Sequence, residues 1–215
     1  MEIQQTELLR YLGWHGQEID DSLQDKLDGA AKRCLELATP RSLVRKFALN
    51  KDMTLSGTDF LLEGEDIRAH LGGCKEIYLL AATVGLETER ETAKLFAEGK
   101  ATDALLMDTA ASCAVEAYAD DICADLEKSG QRALTERFSC GYGDFPLSAQ
   151  PKILRLLSAD TRLGLYTDES FLLSPRKSIT AVIGITDAPA PARRHSCANK
   201  CAHCKNACCA YRKDK

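Results

Sequence analysis

Hydrophobic residues recur every three or four positions along two long stretches of this chain, which is the spacing of an amphipathic α-helix. The first helix is predicted to start at Asp20 or Asp21, either of which can cap it, and to end before Pro40. A longer helical stretch covers residues 86–128, with a break expected near Gly99. Small residues in its apolar stripe predict close packing against a sheet. The stripe comprises Met107, Ala111, Ala114, Val115, Tyr118, Ile122 and Leu126.

Shorter segments with alternating or continuous apolar residues, bounded by turn residues, have the character of β-strands. Strands are predicted at residues 42–50, 53–62, 75–85, 133–140, 165–173 and 178–186. Further helices are predicted near the N-terminus, ending at Gly13, and at residues 63–73 and 146–157. Strands and helices do not alternate regularly along the chain. This order predicts an α+β fold, with a mostly antiparallel sheet packed with long helices in a single domain.

The composition, with 45% hydrophobic and 28% charged residues, is that of an ordinary soluble globular protein. No run of eighteen apolar residues is present, and the N-terminus lacks the layout of a signal peptide. A cytoplasmic protein without a membrane span is therefore expected. Thiols stay reduced in that compartment, so the ten cysteines are expected to be buried, metal-bound or redox-active rather than part of a disulfide framework.

Charge is unevenly distributed along the chain. Residues 191–215 hold seven Lys or Arg and one Asp, so they carry a net charge of +6 and residues 1–190 carry −10. The acidic body argues against nucleic-acid binding. The stretch DAPAPARRHS has the composition of a semi-rigid linker. We therefore predict a domain at residues 1–188, followed at 189–215 by a Pro/Ala linker and a basic, cysteine-rich tail.

The tail carries a dense group of cysteines with metal-ligand spacing. Cys197, Cys201, Cys204 and Cys208 follow the pattern C-x3-C-x2-C-x3-C, which suits tetrahedral zinc and an iron–sulfur cluster equally well. The first three resemble the cluster motif of radical S-adenosylmethionine enzymes, but only eleven residues follow Cys204, too few for the barrel of that family. We predict a metal site at these four cysteines; the alternative is a disordered tail with reduced or redox-active thiols.

A second motif lies in the stretch ERFSCGYGDFP. Arg137 is followed after three residues by Gly141 and Tyr142, and Pro146 comes four positions later, before a predicted helix. This pattern resembles the activation domain of cobalamin-dependent methionine synthase. It is most similar to the short, free-standing bacterial form of that domain. In the family the motif binds S-adenosylmethionine (AdoMet).

Further segments extend the resemblance over residues 100–186. They are Glu169-Ser170-Phe171, Pro175, Ser178-Ile179-Thr180 and the helix around Glu116, which resembles a family helix with an acid in the ligand pocket. The chain departs from the large family members after the Gly-Tyr turn, where Leu147-Ser148-Ala149-Gln150 replaces an acidic, His-containing stretch. It also lacks the paired tyrosines that follow the last strand in those proteins.

The resemblance implies that Arg137, Gly141, Tyr142 and Glu116 contact AdoMet. The residue types suit this ligand, because the arginine fork matches a carboxylate and a glycine lets the backbone approach closely. Tyr142 offers an aromatic face to adenine or to a cation. Glu116 can pair with the ammonium group, although it lies off the apolar stripe of its helix. For each of the four residues a purely structural role is the alternative.

The resemblance also implies a function. It points to a reactivation subunit for a cobalamin-loaded methionine synthase that lacks its own activation domain. Such a subunit serves methionine biosynthesis as a component of a methyltransferase system, by presenting the methyl group of AdoMet for reductive methylation of cob(II)alamin. No catalytic acid or base is expected in this chain. The electron is expected from a flavodoxin-like donor at the basic tail, or through an iron–sulfur cluster in it.

Two other functions stay open at this point. One is an AdoMet-independent, metal-cluster electron-transfer activator of another corrinoid methyltransferase. The other is a non-catalytic module whose zinc-held basic tail binds nucleic acid, which would make binding strongly dependent on salt.

Overall fold

The computed structural model describes residues 1–14 and 16–189, which form one four-stranded sheet, a two-stranded hairpin and seven α-helices. The helices are α1 Gln5–Tyr11, α2 Asp21–Leu37, α3 Glu65–His70, α4 Glu87–Ala97, α5 Ala101–Gly130, α6 Gln150–Leu157 and α7 Ala159–Leu163. The strands are β1 Arg41–Ala48, β2 Glu76–Thr83, β3 Arg132–Leu134, β4 Tyr166–Thr167, β5 Leu173–Ser174 and β6 Ser178–Pro189. The predicted metal ligands Cys197, Cys201, Cys204 and Cys208 lie outside the described residues.

The four-stranded sheet has the order β1-β2-β6-β3, and every neighbouring pair is antiparallel. The two central strands are in register from the pair Glu76–Ile185 to the pair Thr83–Ser178. Most of β2 is buried, and β6 is buried from Thr180 to Ile185, so both strands have a largely apolar central run. This architecture confirms the predicted α+β fold with a mostly antiparallel sheet.

Helices cover both faces of the sheet. Since successive strand residues point to opposite faces, Leu79 packs into the core that includes Ile153 of α6, whereas Leu80 packs against α5. The α5 contacts on that side are Ala119 and Cys123, both fully buried. Small side chains at these positions let the long helix lie close to the sheet. Neither belongs to the predicted stripe, whose small members Ala111 and Ala114 pack in a cluster with Leu8 of α1 and Leu27 of α2.

The predicted helix boundaries are confirmed at several points. The side chain of Asp20 caps α2, because its Oδ1 accepts a hydrogen bond of 2.7 Å from the backbone N–H of Leu23. Gly99 has a φ of +77° and separates α4 from α5, as expected for a glycine that ends a helix. Across the described part of the chain, no helix is both long and apolar enough to cross a membrane.

The predicted strand at residues 53–62 is wrong. The segment is a series of turns with isolated bridges to its neighbours. Met53 and Gly57 have φ values of +72° and +76°, which interrupt an extended chain. Leu55 and Leu62 are nevertheless buried, so the segment fills the core without joining the sheet.

The predicted strand at residues 133–140 is present only at its start. Within that segment β3 ends at Leu134, and the following residues stay beside β6 through a single further bridge between Phe138 and Val182. A register shift between Arg132 and Leu134 marks this irregular edge of the sheet.

The predicted strand at residues 165–173 is instead a hairpin of two short strands, β4 and β5. Asp168 causes the reversal, because its Oδ1 accepts hydrogen bonds from the backbone N–H groups of Ser170 and Leu172 at 2.8 and 2.9 Å. Phe171, inside this turn, has a φ of +64°.

Candidate ligand site around Arg137

Arg137 forms a buried ion-pair cluster with two acids of α5. Its Nη2 donates to Glu116 Oε2 at 2.5 Å, and its Nη1 donates to Asp120 Oδ1. The two acids are four residues apart, so they lie on the same side of the helix one turn from each other. The guanidinium fork therefore bridges successive turns of α5.

The path of the chain after β3 explains why Arg137 reaches α5. Thr135 N–H donates to the Gly184 carbonyl at 2.9 Å, and Phe138 exchanges both backbone hydrogen bonds with Val182. The segment is thus extended beside β6, and consecutive side chains alternate between the two faces of the sheet. Phe138 packs against the core on the α6 side, and Arg137 points to α5.

The cation of this cluster is buried, whereas its two acids are partly exposed to solvent. The side chain of Arg137 is 3% exposed, whereas those of Glu116 and Asp120 are 29% and 37% exposed. Burial opposes the charge of the guanidinium, but Glu116 and Asp120 more than offset it and hold the pKa of Arg137 above its ordinary value. One cation and two carboxylates give a net charge of −1, and the acids form the solvent-facing side.

Helix α1 borders the site next to Glu116. Burial first, and then the charge of Glu116, raise the pKa of Tyr11 to about 12. The Arg10 guanidinium lies over the Tyr11 ring at 4.4 Å and forms a 2.7 Å ion pair with Glu7. The N-terminal helix therefore contributes an aromatic side chain and a second ion pair to this part of the surface.

Gly141 and Tyr142 form the turn after Arg137. Gly141 has a φ of +86° and its N–H donates to the Phe145 carbonyl at 2.9 Å, while Phe145 N–H donates back to the Tyr142 carbonyl at 3.0 Å. The positive φ explains the glycine. Tyr142 is half exposed, and its ring stands edge-on to Phe138 at 6.0 Å. Tyr142 therefore contacts Phe138, whose side chain lies on the face of the sheet opposite that of Arg137.

Asp144 fixes this turn to helix α3. Its two carboxylate oxygens accept the backbone N–H groups of Glu65 and Asp66 at 2.6 and 3.0 Å. A Cβ added at Gly143, which has a φ of +54°, would lie 2.3 Å from a carboxylate oxygen of Asp66. The second glycine of the turn is therefore required by close packing as well as by conformation.

A buried polar chain joins the turn region to the β4–β5 hairpin. The amide of Gln150 donates to the Phe171 carbonyl at 2.6 Å and accepts from the Thr180 hydroxyl at 2.8 Å. Cys140 contacts the same hydroxyl, and burial raises the pKa of its thiol to about 12. Phe171 and Thr180 belong to the second block of the family resemblance, and they have structural roles here.

The four predicted ligand residues are thus arranged in two groups. Arg137 and Glu116 are in direct contact, whereas Gly141 and Tyr142 form an adjoining turn on the Phe138 side. Asp120 is not among the ligand residues predicted from the sequence. Its position one helical turn after Glu116, on the same side of α5, is the sequence feature that could have indicated it. Over residues 1–14 and 16–189, no group of three or more His, Cys, Asp or Glu side chains is arranged to hold a metal ion.

No family model and no curated protein matches this sequence. Among solved structures, the fold is similar to that in the crystal structure of the MetH reactivation domain bound to AdoHcy. The TM-score is 0.61 and the sequence identity is 16%, over 90% of this chain and 76% of the other. This likeness shows the fold, and it agrees with the fold that the sequence motifs imply.

Proposed function

We propose that this chain is a reactivation subunit that binds AdoMet and serves a cobalamin-loaded methionine synthase lacking its own activation domain. Two independent lines support the proposal: the sequence motifs around Arg137, and the similarity of the fold to a reactivation domain that binds AdoHcy. The observation that carries it is the contact between Arg137 and Glu116, since these two residues come from separate motifs and meet at 2.5 Å.

The amino-acid end of AdoMet suits this pair of residues. It carries a carboxylate and an ammonium group side by side, which complement a guanidinium and a carboxylate that already pair with each other. On binding, the ligand carboxylate would take the fork of Arg137, and the ammonium would take Glu116. Each buried charge keeps a partner in both states, which avoids the cost of an unpaired buried ion.

The Gly-Tyr turn would supply the remaining contacts, so the ligand would extend around the edge of the sheet from the α5 side, where Arg137 lies, to the Phe138 side, where the turn lies. Gly141 presents its backbone without a side chain, and the half-exposed ring of Tyr142 offers a face to adenine or to the sulfonium. Asp144 holds this turn against α3, so its geometry is fixed before the ligand arrives. The protein's contribution is then to bind and orient the ligand, without a general acid or base of its own.

The cobalamin would belong to the partner protein. There, AdoMet would supply the methyl group and an external donor would supply one electron for the conversion of cob(II)alamin to methylcobalamin, with AdoHcy as the product that leaves. We propose a flavodoxin-like protein as this donor, docked by the basic residues of the tail. If Cys197, Cys201, Cys204 and Cys208 hold an iron–sulfur cluster rather than zinc, the tail itself would relay the electron. Iron analysis and a visible spectrum after anaerobic purification would distinguish these two cases.

Calorimetric titration of the full chain with AdoMet tests the proposal. Saturable binding is expected in the wild type, and a loss of binding is expected in Arg137→Ala and Glu116→Gln. The second variant keeps the shape of the side chain, so it tests the site even if Arg137→Ala folds poorly. Asp121→Asn is a matched control, because Asp121 directly follows Asp120 on α5 and pairs with the N-terminus at 2.8 Å instead of with Arg137.

A functional assay completes the test. Addition of the chain to an inactive, cob(II)alamin-loaded methionine synthase, with AdoMet and a reductant, should restore methyl transfer. If the chain neither binds AdoMet by itself nor restores activity to the partner, the fold serves another purpose.

A further inference from the structure

We infer that Asp120 occupies the ligand's place on Arg137 and thereby sets the affinity of the site for molecules with a carboxylate. This inference rests on the proposed function, because it concerns the same guanidinium. It assigns opposite roles to two acids one helical turn apart: Glu116 binds the incoming ligand, and Asp120 competes with it.

The burial of Arg137 determines how a ligand can reach it. Only 3% of its side chain is exposed, and solvent meets Asp120 and Glu116 instead. A ligand carboxylate that arrives from solvent must therefore displace a protein carboxylate in order to contact the fork. One acid has to release the guanidinium as the ligand binds.

Asp120 is the better candidate for release. It is the more exposed of the two acids, so its carboxylate regains hydration at a lower cost once it separates from Arg137. Glu116 lies close enough to α1 to affect the pKa of Tyr11, and it is the residue that can accept the ligand's ammonium. Exchange at Asp120 leaves both Arg137 and Glu116 paired.

The displaced carboxylate stays near the bound ligand, because it is fixed to the same turn of α5. Its charge would repel the ligand carboxylate as well as compete for the guanidinium. Asparagine at this position keeps the size of the side chain and can still accept a hydrogen bond from Arg137, but it carries no charge. The competition then falls from an ion pair to a neutral hydrogen bond, which is weaker.

The test is a calorimetric comparison of the wild type with Asp120→Asn, using three ligands. AdoMet and AdoHcy share the amino-acid end, and each should bind roughly tenfold more tightly to Asp120→Asn, the effect of removing one partly exposed competing charge. Decarboxylated AdoMet lacks the carboxylate, so Asp120→Asn should not bind it more tightly than the wild type does. The control Asp121→Asn should leave all three affinities unchanged.

Two results would overturn the inference while leaving the proposed function intact. If Asp120→Asn binds AdoMet and AdoHcy with unchanged or lower affinity, Asp120 is not a competitor. If it weakens AdoMet alone, Asp120 acts through its attraction for the sulfonium. Absence of AdoMet binding in the wild type and in every variant, together with no restored activity with the cobalamin-loaded partner, would instead refute the proposed function, and the inference with it. A thermal unfolding curve for each variant confirms that the protein is folded.

Discussion

Asp144 caps the backbone of Glu65 across 79 residues of sequence, with a hydrogen bond of 2.6 Å from the Glu65 N–H to the Asp144 carboxylate. A second bond, from Asp66 N–H, satisfies another amide at the start of α3. The turn that contains Gly141 and Tyr142 is held in place by a helix from a different part of the chain. The stability of α3 and the shape of the candidate site are therefore linked.

Asp144→Ala should lower the free energy of unfolding by about 1–2 kcal/mol, the usual cost of removing a helix cap. Asp144→Asn should cost less, because its amide oxygen can still accept one of the two bonds. Urea denaturation of the full chain measures both. Equal stability of Asp144→Ala and the wild type would show that the cap does not hold the turn.

Arg137→Ala should lower the free energy of unfolding by about 3 kcal/mol. This value is at the lower end for breaking a buried ion pair, since Glu116 and Asp120 keep contact with water and can be rehydrated. Arg137→Lys should recover part of the loss, because an ammonium group can pair with only one acid well. Urea denaturation of both variants checks this order. If Arg137→Lys is more stable than the wild type, the fork geometry of the guanidinium contributes nothing to stability.

The pH dependence of stability should reveal Tyr11. Its pKa is raised from 10.0 to about 12 by burial and by Glu116. The folded state therefore holds the phenol proton more tightly than the unfolded state does. This contribution to stability is complete below about pH 10 and is lost as the pH rises toward 12. Unfolding measured across this range should show a steeper loss in the wild type than in Tyr11→Phe.

Glu116→Gln provides the check on the cause of this shift. It removes the second-largest contribution, so the loss of stability should then occur over a narrower pH range than in the wild type. If the pH range is unchanged, burial alone causes the raised pKa of Tyr11.

Much of the fold follows from local sequence. The cap at Asp20, the break at Gly99 and the continuous apolar runs of β2 and β6 each depend on neighbours in the chain, and the structure confirms them. Segment 53–62 shows the limit of this reasoning. Its leucines are buried, as they would be in a strand, but a positive φ at Met53 cannot be predicted from the pattern.

The candidate site divides in the same way. Arg137 and Glu116 could be selected from sequence motifs. Their contact could not be predicted, because they are 21 residues apart and only the folded chain brings them together. Asp120 belongs to neither the motif nor the apolar stripe, so only its position one helical turn after Glu116 could have indicated it. The role of Asp144 could not be predicted either, because its partners at the start of α3 are distant in sequence and no local pattern connects them to it.

The two glycines of the turn should respond differently to substitution. Gly141→Ala meets only ordinary contact, with Leu147 at 3.6 Å, so its cost should be the roughly 1–2 kcal/mol of a positive φ in a residue with a side chain. Gly143→Ala adds a close approach of 2.3 Å to the Asp66 carboxylate and should cost more. Urea denaturation compares the two. A smaller cost at Gly143 would mean that the Asp66 side chain moves aside without loss.

Gln150→Leu should destabilise the β4–β5 hairpin. The change removes the partner of both the Thr180 hydroxyl and the Phe171 carbonyl, and Gln150 and Thr180 are almost completely buried. Leaving buried polar groups without a hydrogen bond costs about 1–3 kcal/mol. Urea denaturation should show this loss. Hydrogen exchange should show faster exchange at the backbone amides of the hairpin, because the change removes the bond that joins the Phe171 carbonyl to Gln150.

Thr180→Val is the matched variant for Gln150→Leu, because it removes one end of the same polar chain and leaves the bond to Phe171 in place. It should lower the free energy of unfolding by about 1 kcal/mol without faster exchange in the hairpin. The double variant should be less destabilised than the sum of the two, because each change removes the shared hydrogen bond. Additive losses would show that Thr180 and Gln150 act independently.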